Sequence, residues 1–348
     1  MAGRDEPLTE SARGALPMLR LLSGLILAAS AAAADDRPVL TVYTYEAFLS
    51  EGSPGPAVRP LFEAECDCVL RFVGVGDGAD LVARLRLEGP GAEADVVLGL
   101  DTNLTAAAAA TGLFAPHGLP LPEALAVPGG WDDPLFLPFD WSWLAFVYDE
   151  TRLPEPPTSF ADLLDAPDDV TIVVQDPRTS TPGLGLLMWV KHLYGDEAAS
   201  VWERLAPRIV TVTRSWWEAY SAFLAGEAAM ALSWSTSPAW HRHVQDDDTK
   251  RAALFDDGHY LQIEVAGVLA SSRQPELARR FLAFMLSEPF QSLLPTTHWM
   301  YPAIALQDGL PPAYDGLIAP ETSRLFPSED VPAIREAALA EWLDVMSR

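Results

Sequence analysis

Apolar runs of strand length alternate with helix-forming segments along the first part of the chain. The runs are rich in Val, Leu, Phe and Tyr and are bounded by turn residues, as expected of buried strands. We predict strands over 38–45, 68–75 and 94–100, and helices over 58–67, 79–88 and 103–111. This alternation predicts an α/β fold with a parallel sheet flanked by helices on both sides.

Two longer extended segments, 132–150 and 260–269, interrupt the alternation. We interpret them as crossings between two lobes, because an amphipathic helix predicted over 274–286 then returns the chain to the first lobe. Lobe 1 is predicted to comprise residues 35–139 and 266–348, and lobe 2 residues 140–265. Each lobe is expected to be a mostly parallel sheet flanked by helices, with a ligand cleft between the lobes.

The stretch 213–240 carries five tryptophan and tyrosine side chains. Ser215, followed three residues later by Glu218, is a capping-box pattern and predicts a helix that begins at Trp216. Trp216 then lies in the first turn, and Tyr220 lies one turn later on the same side of the helix. A side chain in a first turn often faces a ligand.

Two further tryptophans in this stretch lie at the ends of predicted elements. Trp234 ends a short buried strand, and Trp240 lies in the first turn of a helix with Ser237 as its predicted N-cap and Pro238 at its first position. In open α/β folds the ligand binds at this edge of the sheet, so the three tryptophans indicate a stacking site. The alternative is that the rings are core packing, where aromatic residues are common.

Residues 1–34 are interpreted as targeting sequence. An apolar run from 21 to 34 follows Arg20 and ends in alanines, which predicts cleavage after Ala34, and Met18 is an alternative start. The run is too short to span a membrane, and we expect an exported, soluble, periplasmic protein. Two lobes joined by two crossings in such a protein are the layout of a periplasmic solute-binding protein, although layout alone does not name a ligand.

The formal net charge of −26, from 23 basic and 49 acidic residues, argues against nucleic acid and anionic membranes as partners. It permits a cationic ligand. Cys66 and Cys68 could form a disulfide in an oxidising compartment, but they lack neighbouring ligands at zinc spacing, so no metal site is predicted. His241 and His243 do not share a helix face and are interpreted as surface residues.

Longer motifs resemble the thiamine-binding periplasmic proteins of bacterial ABC importers, which are type II solute-binding proteins. The matching stretches follow one another in order over nearly the whole mature chain. They are PVLTVYTYEAF, LVARLRLEG, ADVVLGLDTNL, VPGGW, PFDWSWLAFVYDE, QDPRTSTPGLGLL, TVTRSWWEAY, LSWSTSPAW, DGHYLQIEVA and HWMYP. The resemblance implies a type II two-lobe fold, no catalysis and no cofactor. It implies thiamine, thiamine monophosphate or thiamine diphosphate as ligand, and a membrane permease with its ATPase subunit as partners of a monomer.

The resemblance also suggests which residues line the cleft. Carried over by position, they are Tyr45, Asp77, Ser180, Trp216, Trp234, Trp240 and Trp299. Gly78, Thr181 and Tyr220, which neighbour members of this set along the chain or on the predicted helix, complete the predicted site. Trp234 and Trp240 stand where the family often has tyrosine, so the stacking face is kept and the phenolic hydroxyl is lost.

The predicted residues suit the chemistry of thiamine. Its cationic thiazolium gains about 0.5–2 kcal/mol over an indole face. Asp77 would supply a counter-charge, or would instead cap the helix that follows it. Ser180 is the candidate to bind a phosphate or hydroxyl at a helix N-terminus, with Thr181 as the helix cap.

Three other functions were weighed. A thiaminase I-like enzyme needs a cysteine nucleophile, and both cysteines lie at the wrong end of their strand for a cleft. A ferric-ion binder needs oxygen and nitrogen ligands where this chain has tryptophans. A polyamine binder needs several cleft carboxylates, and only Asp77 stands out in the sequence, so a polyamine is the weaker alternative ligand.

Overall fold

The computed structural model describes residues 37–348, and the predicted targeting sequence with its cleavage site lies outside the described residues. The strands are β1 Val39–Thr44, β2 Val69–Gly74, β3 Val96–Asp101, β4 Phe114–Ala115, β5 Phe136–Asp149, β6 Ile172–Gln175, β7 Ile209–Thr213, β8 Met230–Trp234, β9 Lys250–Ala252, β10 His259–Leu269, β11 Tyr301–Pro302 and β12 Ser323–Arg324. The helices are α1 Pro54–Cys66, α2 Gly78–Glu88, α3 Thr105–Ala109, α4 Phe160–Asp165, α5 Thr181–Tyr194, α6 Ala198–Leu205, α7 Trp216–Leu224, α8 Ser237–Trp240, α9 Pro275–Met285, α10 Glu288–Gln291, α11 Leu294–Thr297 and α12 Val331–Met346.

The strands form one path in the order β2-β1-β3-β10-β5-β8-β6-β7. β1 pairs in parallel with β2 and β3, and β6 pairs in parallel with β7 and β8. The two long strands between these groups, β5 and β10, pair antiparallel with each other, and they also pair antiparallel with β8 and β3, respectively. The predicted α/β class is confirmed. The parallel pairings lie on either side of the central antiparallel pair, β5 and β10.

β5 connects the two groups of strands. Its first part, as far as Trp143, pairs with β10, and its second part, from Leu144, pairs with β8. β5 and β10 are the segments that the sequence analysis interpreted as crossings. The lobe boundaries at 139/140 and 265/266 stay predictions.

Helices cover both faces of the sheet around β1. Phe62 of α1 and Phe281 of α9 meet edge to face, with ring centroids 5.0 Å apart, in one buried cluster. Leu81 and Leu85 of α2 belong to a second buried cluster, which extends to α5 and α12. The two clusters contain alternate residues of β1 and β3, so they pack against opposite faces of the sheet.

The sequence analysis did not predict α12. This helix packs on α5 and α6, and Lys191 Nζ lies 2.7 Å from Glu341 Oε1 across that contact. α5 and α6 belong to predicted lobe 2, whereas 266–348 was assigned to lobe 1. The packing of α12 is thus a contact between the two predicted lobes.

The alanine-rich helix is shorter than the predicted 103–111, since α3 spans only Thr105–Ala109. At its start, Asp101 Oδ1 accepts the backbone N–H of Asn103, which is a local turn that competes with helix formation. Past its end, Gly112 adopts a φ of 69°, which is outside the helical region.

Cys66 and Cys68 are joined by a disulfide where α1 passes into β2. Within residues 37–348, no helix combines the length and the apolar character needed to cross a bilayer.

Candidate functional site

Trp216 and Trp234 form an aromatic pair, with ring centroids 5.5 Å apart and planes at 49°. Ser215 caps α7 as predicted, because its Oγ accepts the backbone N–H of Glu218. The indole N–H of Trp216 donates to Ser233 Oγ at 2.8 Å. Both rings are half-buried, so each keeps an exposed surface on which a planar ligand can stack.

Tyr220 lies behind this pair. Its ring stacks on Trp216 with centroids 5.1 Å apart, and it is only 2% exposed within a small buried cluster. Its hydroxyl lies 2.9 Å from Nε2 of His241, which is fully buried. The interpretation of His241 as a surface residue is therefore wrong, whereas His243 is exposed as expected.

Trp240 and Trp299 contact histidines. Trp240 lies edge-on to His241 with centroids 4.7 Å apart, and Trp299 lies 5.6 Å from His243. The backbone of Trp299 has a φ of 62°, an uncommon value for a residue with a side chain. Both side chains are half-buried, and neither is among the ring contacts of the Trp216–Trp234 pair within residues 37–348.

Ser237 differs from its predicted role as N-cap. It is the first residue of α8, and Thr236 occupies the N-cap position. Its Oγ accepts the backbone N–H of Trp234 at 3.2 Å and lies 2.7 Å from Ser233 Oγ. The hydroxyl thus fixes the end of β8, where Trp234 is attached, instead of its own helix.

Asp77 connects the first turns of two helices. It caps α2, with Oδ1 accepting the Gly78 N–H at 2.7 Å, and it also accepts the Thr181 hydroxyl at 2.7 Å and the Thr181 N–H at 3.2 Å. Burial raises the pKa of Asp77, although these hydrogen bonds lower it. Its capping role is thereby observed, and its role toward a ligand stays a prediction.

The order of Ser180 and Thr181 in the cap of α5 is the reverse of the prediction. Ser180 occupies the N-cap position without a side-chain capping bond, and Thr181 is the first helical residue. Thr181 Oγ1 is committed to Asp77, whereas Ser180 Oγ is buried without a hydrogen-bond partner. Of the two hydroxyls, Ser180 is therefore the one left available to a ligand.

Tyr45 follows β1 and lies over Gly99 of β3. A Cβ on Gly99 would lie 2.2 Å from the tyrosine ring, so only glycine permits this contact. The phenolic O–H donates to Glu264 Oε2 at 2.8 Å, and the oxygen lies 2.9 Å from His298 Nε2. Because the hydroxyl has one proton, His298 is the donor in the second contact.

Acidic residues gather around Tyr45 at the centre of the sheet. Glu264 of β10 faces Asp140 of β5 on one side and Asp101 of β3 on the other. His298 Nε2 lies 3.1 Å from Asp140 Oδ2 and 3.5 Å from Glu264 Oε2. The side chain of Asp140 is fully buried, and neither of its oxygens accepts a well-directed hydrogen bond from the described residues.

The charges of this cluster shift its protonation equilibria. Burial lowers the pKa of His298, but the Asp140 and Glu264 carboxylates outweigh burial and raise it to about 10. Burial raises the pKa of Asp101 to about 7 against the hydrogen bonds from Asn103. Burial and the Glu264 charge raise the pKa of Asp140 as well. His298 is therefore an imidazolium at neutral pH.

Gln262 joins the aromatic pair to the acidic cluster. Its Oε1 accepts the indole N–H of Trp234 at 3.1 Å, and its Nε2 donates to Glu264 Oε1 at 3.2 Å. Tyr45, Glu264, Gln262 and Trp234 are thus connected by consecutive hydrogen bonds.

The polar residues of this region were not predicted from the sequence. They are Asp101, Asp140, Gln262, Glu264 and His298. The first four had a usable signal, since each interrupts or ends an otherwise apolar strand, and buried polar or charged residues in a strand often mark a site.

The chain is similar in sequence to a known protein family and to curated members of it. The family model for bacterial extracellular solute-binding proteins matches residues 41–292. The thiamine-binding periplasmic protein of Escherichia coli (strain K12) is 47% identical over 96% of this chain and 98% of its own length. That of Haemophilus influenzae is 37% identical over 94% of this chain and 97% of its own length.

Solved structures agree in fold. A periplasmic thiamin binding protein superposes with a TM-score of 0.86 at 49% identity, covering 90% of this chain and 97% of that one. Iron-bound HitA from Pseudomonas aeruginosa superposes with a TM-score of 0.72 at 22% identity, covering 88% of this chain and 99% of that one. The second match shows the fold alone.

Proposed function

Because the chain belongs to the bacterial extracellular solute-binding protein family, we propose that it binds thiamine in the periplasm and delivers it to an ABC import permease. Its relatives at 37–47% identity carry the name thiamine-binding periplasmic protein. The observation that carries the proposal is the Trp216–Trp234 pair connected through Gln262 to the Glu264 carboxylate. This arrangement offers a flat π-surface beside negative charge.

The electrostatics suit a cation. The carboxylates of this region come from four residues: Asp77, Asp101, Asp140 and Glu264. Within the described residues, His298 forms ion-pair contacts with two of them, Asp140 and Glu264. A thiazolium ring over an indole gains about 0.5–2 kcal/mol, and more where water is excluded. The excess of carboxylates adds to that attraction because buried charges interact strongly.

Aromatic stacking distinguishes thiamine from the alternative ligand. The sequence suggested one cleft carboxylate, and Asp101, Asp140 and Glu264 are three further carboxylates close to Tyr45. A polyamine therefore has more potential acidic partners than the sequence alone suggested. A flexible aliphatic polyamine makes little use of the Trp216–Trp234 pair, whereas the pyrimidine and thiazolium rings of thiamine can use both ring faces.

The phosphate esters of thiamine are proposed as additional ligands. Ser180 Oγ is buried without a partner at the N-terminus of α5, a helix of 14 residues. Helix N-termini attract anions through unpaired N–H groups and the helix dipole. The N–H of Thr181 is committed to Asp77, Pro182 has no N–H, and the N–H of Leu184 donates to the Ser180 carbonyl. The Ser180 hydroxyl is therefore the donor that we propose for a phosphate.

A binding role agrees with the state of the cysteines. The chain has two cysteines, and both are in the disulfide Cys66–Cys68. A thiaminase I-like reaction needs a free thiolate as nucleophile, and the disulfide offers none.

Calorimetric titration of the mature protein with thiamine, its two phosphate esters and spermidine tests the proposal. We expect one thiamine per chain and quenching of tryptophan fluorescence at saturation. Tight binding of spermidine with no response to thiamine would replace the proposal with the polyamine alternative.

A further inference from the structure

Four donor atoms converge at the centre of the sheet, and two of them, from Tyr45 and Glu264, also belong to the proposed thiamine site. They are Tyr45 Oη, Asp140 Oδ2, Glu264 Oε2 and His298 Nε2. The carboxylate and imidazole atoms all lie within 4.8 Å of one another. They come from the residue after β1, from β5, from β10 and from the segment after α11, so separate elements of the fold hold them in place.

We propose that Tyr45, Asp140, Glu264 and His298 form a binding site for one divalent transition-metal ion, of which Zn²⁺ is the representative. No metal site was predicted from the sequence, because neither the cysteines nor the His241–His243 pair has the spacing of metal ligands. The four donors offer three oxygens and one imidazole nitrogen. This is a set that zinc and the neighbouring divalent ions accept.

Four of the donor separations are close to those of a tetrahedral site. Four ligands about 2.0–2.1 Å from a zinc ion lie about 3.3–3.4 Å from one another. The observed separations from His298 Nε2 are 2.9 Å to Tyr45, 3.1 Å to Asp140 and 3.5 Å to Glu264. The Tyr45–Glu264 separation is 2.8 Å. Each of these distances is within about 0.6 Å of the tetrahedral spacing, and the Asp140 and Glu264 oxygens lie within 4.8 Å of each other.

The hydrogen-bond inventory points to a missing partner. Asp140 is 0% exposed, and its oxygens accept no well-directed hydrogen bond from the described residues, although His298 Nε2 lies 3.1 Å from Oδ2. Oδ1 therefore has no partner among the described residues, and buried carboxylates in proteins are usually fully paired or coordinate metals. Asp140 Oδ2 faces His298, and Glu264 lies opposite Asp140 in the pairing of β5 with β10. An ion held between these three residues would give the Asp140 carboxylate its missing partner.

The test is a calorimetric titration of Zn²⁺ into tag-free mature protein that has been stripped with a chelator. We expect one Zn²⁺ per chain, and a melting temperature that rises with the Zn²⁺ concentration. His298→Gln and Asp140→Asn should each weaken Zn²⁺ binding by at least about 100-fold. The exposed His243→Gln is the matched control and should bind Zn²⁺ as the wild type does.

A spectroscopic measurement on the wild type keeps the test independent of how the variants fold. Titration with Co²⁺ should give the intense visible absorption of a tetrahedral site, and Zn²⁺ should displace it. The proposal is wrong if the wild type binds no Zn²⁺, or if His298→Gln and the wild type bind it equally. In that case the cluster is an imidazolium held between two carboxylates. Thiamine titration of the metal-free protein reports separately on the proposed function.

Discussion

The indole N–H of Trp234 donates to Gln262 Oε1, and this bond fixes the plane of a ring that belongs to the proposed stacking site. Gln262 is 1% exposed and makes its second bond to Glu264, so it has no freedom to rotate without losing a partner. The orientation of the ring is therefore set from the β10 strand as well as from β8, which carries Trp234.

We predict that Gln262→Leu weakens thiamine binding about 5- to 150-fold, which corresponds to about 1–3 kcal/mol for an unpaired buried donor. Calorimetry measures the affinity, and thermal unfolding measures the stability. Gln291→Leu is the matched control, because Gln291 is another buried glutamine, which bonds to the backbone of Phe139 and Ala303. It should lower the melting temperature and leave the affinity of the folded protein unchanged. Equal affinity losses in both variants would contradict a positioning role for Gln262.

Removal of the stacking rings should separate affinity from stability. Trp234→Ala and Trp240→Ala should each weaken thiamine binding by about 1–3 kcal/mol, or roughly 5- to 150-fold, because a half-buried ring contributes more to the ligand than to the core. Tyrosine at either position should restore most of the affinity, since the π-face returns.

Trp189→Ala and Trp202→Ala are the controls for these rings. Both side chains are buried, at 0% and 2% exposure, on α5 and α6. Truncation of a buried aromatic costs about 3–5 kcal/mol of stability. If the controls and Trp234→Ala lower the melting temperature equally, and Trp234→Ala still binds thiamine normally, then Trp234 is a core residue.

The disulfide should contribute little to function. Cys66→Ser combined with Cys68→Ser is expected to leave thiamine affinity unchanged, because the pair lies where α1 meets β2, at the opposite end of the strand from Tyr45. The free energy of unfolding should fall by at most about 2 kcal/mol, since the bridge closes a very short loop. Consumption of thiamine in the presence of an added nucleophile by the wild type, and not by the double variant, would instead support a thiaminase.

His259 should make stability depend on pH. Its Nε2 accepts the Phe255 N–H and its Nδ1 donates to Leu144 O, and burial lowers its pKa from 6.5 to about 4. At pH values between about 4 and 6.5, His259 of the unfolded chain binds a proton that His259 of the folded chain does not. Its contribution to stability is therefore complete above pH 6.5 and falls by up to about 3 kcal/mol as the pH decreases to 4.

Urea unfolding of the wild type and of His259→Gln, at several pH values, measures this effect. The difference in the free energy of unfolding between the two proteins should shrink as the pH falls from 6.5 to 4. A difference that stays constant over this range would show that His259 does not titrate in the folded protein as expected.

Local signals in the sequence predicted local structure well. Ser215 caps α7 as predicted, because a capping box depends on residues only three positions apart. The order of Ser180 and Thr181 was reversed because Asp77, more than 100 residues away, binds the Thr181 hydroxyl. No local pattern contains that information.

The acidic cluster depends even more on tertiary structure. Asp140 and Glu264 meet because of the register between β5 and β10, and His298 joins them from a loop after α11. Tyr220 has the helical spacing expected of a ligand residue, but its position relative to His241 makes it part of the core. The family resemblance supplied the fold and the ligand class, and the contacts of these residues required the structure.

The Asp77–Thr181 contact has a kinetic consequence. One carboxylate holds the first turns of α2 and α5, so any motion that separates these helices must break its bonds to the Thr181 hydroxyl and N–H. We expect a ligand in the predicted cleft to leave only after such a separation. The residence time of the ligand would then depend on a pair of protein groups that hold each other, and substitutions at Thr181 could accelerate release without altering any ring that touches the ligand.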